Sequence, residues 1–176
     1  MTSDLFSAPW VDRTFSAEKM PFKDGSIDAF LLLNVFHHLP HAFECLREMN
    51  RCLRPQGKII MIEPANTIWG RFVSLNFHHE PFDVKAGWDL EGDGRLSVGN
   101  GALPWIVFVR DREILRKKIP ELSVKNIHLH TPFRYILSGG VSYRAFLPIW
   151  MYPAVKNVEY VLSPLSSLLG FFKLSK

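Results

Sequence analysis

The sequence predicts an α/β fold, with a mostly parallel sheet flanked by helices. Two observations carry this. Ile27–Asn34 and Lys58–Ile62 are short, nearly unbroken apolar runs, the pattern of strands buried on both faces. Between them Ala42, Cys45, Leu46, Met49, Cys52 and Leu53 recur at three- and four-residue steps, which gives a helix one apolar face. Strand, helix and strand within about 35 residues form a β–α–β crossover, the connection that joins parallel strands. Pro40 suits a first helical turn, and Pro55-Gln56-Gly57 reads as a stop.

The remaining segments follow in order. Residues 1–11 have no periodicity and read as a loop, and Val11–Phe15 as a short strand. Ser16–Ser26 is a second loop, whose Asp24-Gly25-Ser26 turn starts the next strand. Thr67–Phe77 has helical spacing, with Ile68, Phe72 and Leu75 on one side. Residues 78–101 are polar and glycine-rich, the composition of an irregular binding loop. Leu103–Phe108 is apolar, Arg110–Lys118 reads as a charged helix stopped by Pro120, and Val124–His130 alternates like a half-buried strand. Ser138-Gly139-Gly140 breaks the chain. Arg144–Leu162 reads as a helix pair broken at Pro148 and Pro153, and Phe171–Leu174 as the final strand.

With 176 residues, 47% hydrophobic and 22% charged, the chain has the makings of one globular domain, 1–176. The opening MTSDLFSAPW lacks the basic start and apolar run of a leader, and no run of 18 apolar residues predicts a spanning helix. Cys45 and Cys52 fall on one helix face with no disulfide framework, so a reducing, cytoplasmic setting is expected. The net charge of +4 is uneven: residues 1–105 carry 10 basic and 13 acidic side chains, residues 106–176 carry 11 and 4. A basic C-terminal third suits a solvated face, an anionic ligand or a peripheral membrane surface. No interleaving of aromatic and basic residues points to nucleic acid.

The stretch Ser16–Pro64 also carries a family pattern. Ala17-Glu18, Met20-Pro21-Phe22, Asp24-Gly25-Ser26-Ile27-Asp28, His37-His38, Glu48, Arg51-Cys52-Leu53-Arg54-Pro55 and Glu63-Pro64 stand in an order and spacing that resembles the class I S-adenosylmethionine-dependent methyltransferases. The nearest group is the small-molecule enzymes labelled type 11. The resemblance implies a Rossmann-like sheet with S-adenosyl-L-methionine bound at its carboxyl edge and an antiparallel C-terminal strand inserted beside the sheet. It covers the C-terminal two-thirds of such a domain. The glycine-rich turn that cradles the cofactor in that family has no counterpart, since no glycine precedes Gly25. The expectation is therefore an incomplete domain, truncated at its N-terminus.

The resemblance also suggests roles for residues. Ser16, Ala17 and Glu18 fall where the family holds the adenine ring, although Ser16 replaces a carboxylate with a hydroxyl. Asn34, Val35 and Phe36 follow the strand along the cofactor, and His37 or His38 would face the transferring methyl. Methyl transfer needs in-line placement, and a base only where the acceptor loses a proton, which a neutral histidine accepts. His79, Trp88, Tyr143 and Arg144 lie in segments that would shape the acceptor site. No metal is expected, because His37, His38, His41 and the run His78-His79-Glu80 lack a zinc-site spacing. The function expected is methyl transfer to a small-molecule acceptor, which the basic C-terminal third and the aromatic Trp150–Tyr152 region allow to be anionic, aromatic or lipid-like. The alternative is a non-catalytic remnant acting as an interaction module through an unpaired sheet edge.

Overall fold

The computed structural model describes the chain except for residues 79, 91–98, 131–132, 134–136, 138–143, 163, 165–170 and 176; for 130 and 171–175 it describes the backbone alone. Ser138-Gly139-Gly140 therefore lies outside the described residues. Two short strands, β1 (Ser3–Asp4) and β2 (Arg13–Thr14), pair in parallel with each other and stand apart from the main sheet. The loop expected over 1–11 thus contributes one strand of this ribbon, while Val11–Phe15 shortens to two residues.

The crossover forms where the apolar spacing predicts it. Strand β3 (Ile27–Leu33) leads to helix α1 (Ala42–Cys52), which leads directly to β4 (Leu53–Glu63), and β3 and β4 pair in parallel. Pro40 stands just ahead of α1 rather than in its first turn. The Pro55-Gln56-Gly57 stop is absorbed into β4 as an irregularity, with Gln56 at φ +66°. A Cβ at Gly57 would meet Leu53 at 2.8 Å and the Arg54 carbonyl at 2.9 Å, so only glycine fits this crossing. The buried face of α1, Cys45, Leu46, Met49 and Cys52, packs into one core with Ile59 and Met61 of β4. Burying a Leu or Met side chain in this way contributes about 1.5–3 kcal/mol.

After β4 come α2 (Ile68–Phe77), a short turn of α3 (Leu103–Trp105) continuing into a π-helical Ile106–Arg110, α4 (Arg112–Lys118) and β5 (Asn126–His130). Helix α5 (Tyr152–Val161) and strand β6 (Phe171–Ser175) complete the described elements. The main sheet has the order β3-β4-β6-β5, with β6 inserted antiparallel between β4 and β5. The final antiparallel strand is thus borne out, and the other three strands run in one direction.

Three expectations change. β3 is buried on one face only: Leu31 and Leu33, on the other face, are 73% and 60% exposed, while Leu32 is buried. Ile68, Phe72 and Leu75 of α2 point outward, while Gly70 and Val73 form its buried side. The expected helix pair over Arg144–Leu162 narrows to a 3-10 turn after Pro148, Ile149–Met151, that runs into α5 with Pro153 in its first turn, where proline is tolerated. No described helix is long and apolar enough to cross a membrane.

The loop ahead of β3 is fastened to α1 by Arg51. Its guanidinium donates to both Glu48 oxygens (2.9 and 2.8 Å) and to the carbonyls of Phe22 (2.9 Å) and Met20 (3.2 Å), and pairs with Asp24. The Met20 amide donates back to Glu48 at 3.0 Å. Expected from the sequence as a simple surface pair, Glu48 and Arg51 are the centre of a loop-to-helix latch. The Arg51 guanidinium holds the Glu48 carboxyl at about 2 instead of 4.5, so this pair stabilises the fold above pH 4.5 and that contribution is lost as pH falls towards 2. Resistance to urea should decline across that window, and Glu48→Gln should flatten this part of the profile. An equally steep profile in the variant would remove Glu48 from the explanation.

Candidate functional site

The period-two alternation of β4 places Gly57, Ile59, Met61 and Glu63 on the face turned to the core. The last of these is a carboxylate with no exposed surface. An isolated buried charge is costly, so its partners decide whether the fold tolerates it. They come from the turn after β3. Asn34 adopts φ +51°, a left-handed conformation that asparagine tolerates better than most residues, and its amide still donates to the Ile62 carbonyl at 2.9 Å. The chain then turns over the strand end, and the amides of Val35 and Phe36 donate to Glu63 Oε1 at 3.0 and 2.8 Å. A 3-10 turn over Phe36–His38 brings His37 Nδ1 to 2.6 Å from Glu63 Oε2.

The second carboxylate comes from the segment after α2. Glu80 Oε2 lies 3.2 Å from His37 Nε2, and its Oε1 lies 3.4 Å from His38 Nε2. His78 Nδ1 stands 3.7 Å from Glu80 Oε2. Asn100, 3% exposed, holds this segment in place. Its amide donates to the His37 carbonyl at 2.9 Å, and its side chain accepts from Asp83 and Ala102 (both 3.0 Å) and donates to the Asp83 carbonyl at 2.8 Å. A Cβ at Gly99 would stand 3.0 Å from His38 Nδ1, so glycine there lets the backbone approach the ring.

Burial alone would lower the His37 pKa, but the hydrogen bonds and charges of Glu63 and Glu80 outweigh it and raise the value to about 9. Burial would raise that of Glu80, but His37 first, then the charges of His38 and His78, bring it to about 2. At neutral pH His37 is therefore positive and Glu80 negative, with the second ring nitrogen of His37 held by Glu63. Both ring nitrogens of His37 are engaged and the residue is 3% exposed, so it orients its neighbours. The His38 side chain keeps 25% of its surface and is the accessible imidazole of the pair.

Other expected site residues fall elsewhere. Asn34 and Val35 are exposed at the carboxyl edge of the sheet. Phe36 is fully buried, with its ring 5.1 Å from that of Phe108 and its amide on Glu63. Ser16, Ala17 and Glu18 are half-buried and lie near α1, with Ser16 Oγ accepting from the Glu18 amide at 3.2 Å. The Trp88 indole donates to Asp111, the residue just ahead of α4, at 2.9 Å, and its carbonyl accepts from Ala42 of α1, so these bonds lead away from the histidines. Arg144 is exposed; His79 and Tyr143 lie outside the described residues. Sequence reasoning did not connect Glu80 or Asn100 with His37 and His38. No local spacing signals that connection, since more than 40 residues separate Glu80 from the histidines.

Residues 7–61 match the family described as Methyltransferase domain. Over these residues the chain is similar to the class I S-adenosylmethionine-dependent methyltransferases. Among curated relatives, the ubiquinone/menaquinone biosynthesis C-methyltransferase UbiE of Bartonella bacilliformis is 35% identical over 94 residues, which cover 53% of this chain and 34% of that protein. The uncharacterized protein YafE of Escherichia coli K12 is 26% identical over 123 residues, covering 65% of this chain and 59% of its own. The chain thus spans about a third of the first of these relatives and less than two thirds of the second. A solved S-adenosylmethionine-dependent methyltransferase from Mesorhizobium loti aligns over 93% of this chain and 67% of its own, at 12% identity and a TM-score of 0.46.

The turn after β3 rests on a single carboxylate. Removing one partner of a buried ion pair costs about 3–5 kcal/mol, so Glu63→Ala should lose that much stability in urea unfolding. A loss below about 1 kcal/mol would mean that the turn is held by packing alone.

Proposed function

We propose that the chain supplies the acceptor side of an S-adenosylmethionine-dependent methyl-transfer site acting on a small-molecule acceptor. One observation carries the reading. The carboxyl edge of the parallel β3–β4 pair, where ligands of open α/β sheets bind, presents Asn34 and His38 on a turn fixed from beneath by Glu63. Asn66 Oδ1, just past the end of β4, is buried with no hydrogen-bond partner among the described residues, which suits a polar ligand at this edge.

S-adenosylmethionine, when bound, supplies a methyl group made electrophilic by its sulfonium. Asn34 and Val35 are accessible to hold it, with Ser16, Ala17 and Glu18 assigned to its adenine end. Phe36 contributes from below, by packing. His38 accepts the acceptor's proton where one must leave, and Glu80 steadies the charge that results. His37 is a positioning residue. The exposed Ile68, Phe72 and Leu75 of α2, the helix that follows β4, favour an apolar acceptor. That is in keeping with the ubiquinone and menaquinone biosynthesis named for the Bartonella relative.

A second reading, an interaction module without catalysis, draws support from edge strand β3, whose Leu31 and Leu33 are exposed. Calorimetry with S-adenosylmethionine separates the two, using the purified chain and the same chain preceded by its upstream reading frame. Binding by either form supports methyl transfer, and binding by neither leaves the interaction module. In a form that transfers methyl groups, His38→Ala should slow transfer about a hundredfold or more while leaving cofactor affinity unchanged. An undiminished rate would remove His38 from the chemistry.

A further inference from the structure

The histidine–carboxylate cluster has a geometry that methyl transfer does not require. His37 and His38 each bring one ring nitrogen, and Glu80 brings its carboxylate oxygens, so that all the ligand atoms lie within 4.8 Å of one another. The two nearest separations, 3.2 Å from His37 Nε2 and 3.4 Å from His38 Nε2 to Glu80, are hydrogen-bond lengths. They are also close to the edge of a tetrahedron around a zinc ion, about 3.3 Å for bonds of about 2.0–2.1 Å. The two contacts reach different oxygens of Glu80, Oε2 and Oε1, so a turn of the carboxyl group would bring one oxygen and both imidazoles around an ion. His78 Nδ1, 3.7 Å from Glu80, stands near as a fourth donor.

From this geometry we propose that His37, His38 and Glu80 form a binding site for a divalent transition-metal ion of the zinc class. Two imidazoles and one carboxylate are a borderline donor set, which selects zinc, cobalt or iron over magnesium and calcium. The surroundings of His37 are those of a metal-bound histidine. Its Nδ1 is held by Glu63 at 2.6 Å, which fixes the ring and directs Nε2 to the cluster. On binding, the proton between Nε2 and Glu80 leaves to solvent, and the proton on Nδ1 stays with Glu63. The ligands come from two distant segments, so the ion would pin the chain after α2 to the turn after β3.

The site does not depend on the methyltransferase reading. It excludes one part of it while occupied, because a zinc-bound His38 Nε2 has no lone pair for an acceptor's proton.

The test uses the tag-free, chelator-treated full chain. Calorimetry with Zn2+ and the visible absorption spectrum of added Co2+ are measured on the wild type, His38→Ala, Glu63→Gln and His41→Ala. The His41 ring pairs with Asp89, outside the cluster, and so serves as the control. One equivalent of Zn2+ and a tetrahedral Co2+ spectrum are expected for wild type and His41→Ala. His38→Ala should lose at least about tenfold in affinity, and Glu63→Gln, which removes the support of His37, about tenfold. Circular dichroism confirms that His38→Ala, a change at a part-exposed position, remains folded. Absence of stoichiometric binding by the wild type, or His38→Ala binding as tightly as the wild type, would overturn the proposal.

Discussion

The carboxylate of Glu63 carries the local architecture. It is buried at the end of the central parallel strand, where no water can solvate it, and it is satisfied by three donors from one turn: two backbone amides and one imidazole. This reverses the usual dependence of a turn on its own residues. The chain after β3 bends where it does because a charge beneath it must be matched. Asn34 takes the left-handed conformation that begins the bend, and Phe36 closes it by sinking into the core against Phe108.

From that point the order spreads outward in steps. His37 passes the electrostatic demand of Glu63 to Glu80, and Glu80 orders His38 and His78 around it. Asn100 ties the returning chain to the backbone of His37. Such a row of buried charges contributes little net stability by comparison with an apolar core, since desolvation offsets attraction. What it contributes is a fixed geometry at the sheet edge.

Much of this was legible in the residues. The three- and four-step spacing of Ala42, Cys45, Leu46, Met49 and Cys52 located α1 nearly to its ends, because burial of one helical face leaves that period in any sequence. The crossover and its parallel pairing follow from runs of the right length, and the antiparallel insertion of the final strand from the family resemblance. Solvent exposure was less legible. An apolar run such as Ile27–Leu33 looks the same at a sheet edge as in its centre, and the outward stripe of α2 has the spacing of an inward one. Within the site, His37 and His38 drew notice as a pair. Their connection with Glu63 and Glu80 did not, because hydrogen bonds between residues more than 20 positions apart leave no periodic trace.

Native-state hydrogen exchange at the amides of Val35 and Phe36 tests the role of Glu63 most directly. Val35 is 42% exposed, so surface access alone would let its amide exchange quickly. If the buried carboxylate holds the turn, both amides exchange as slowly as those of the paired residues of β3 and β4. Exchange of Val35 and Phe36 at the rate of an open loop would show that Glu63 does not hold the turn, and the site built upon it would lose its foundation.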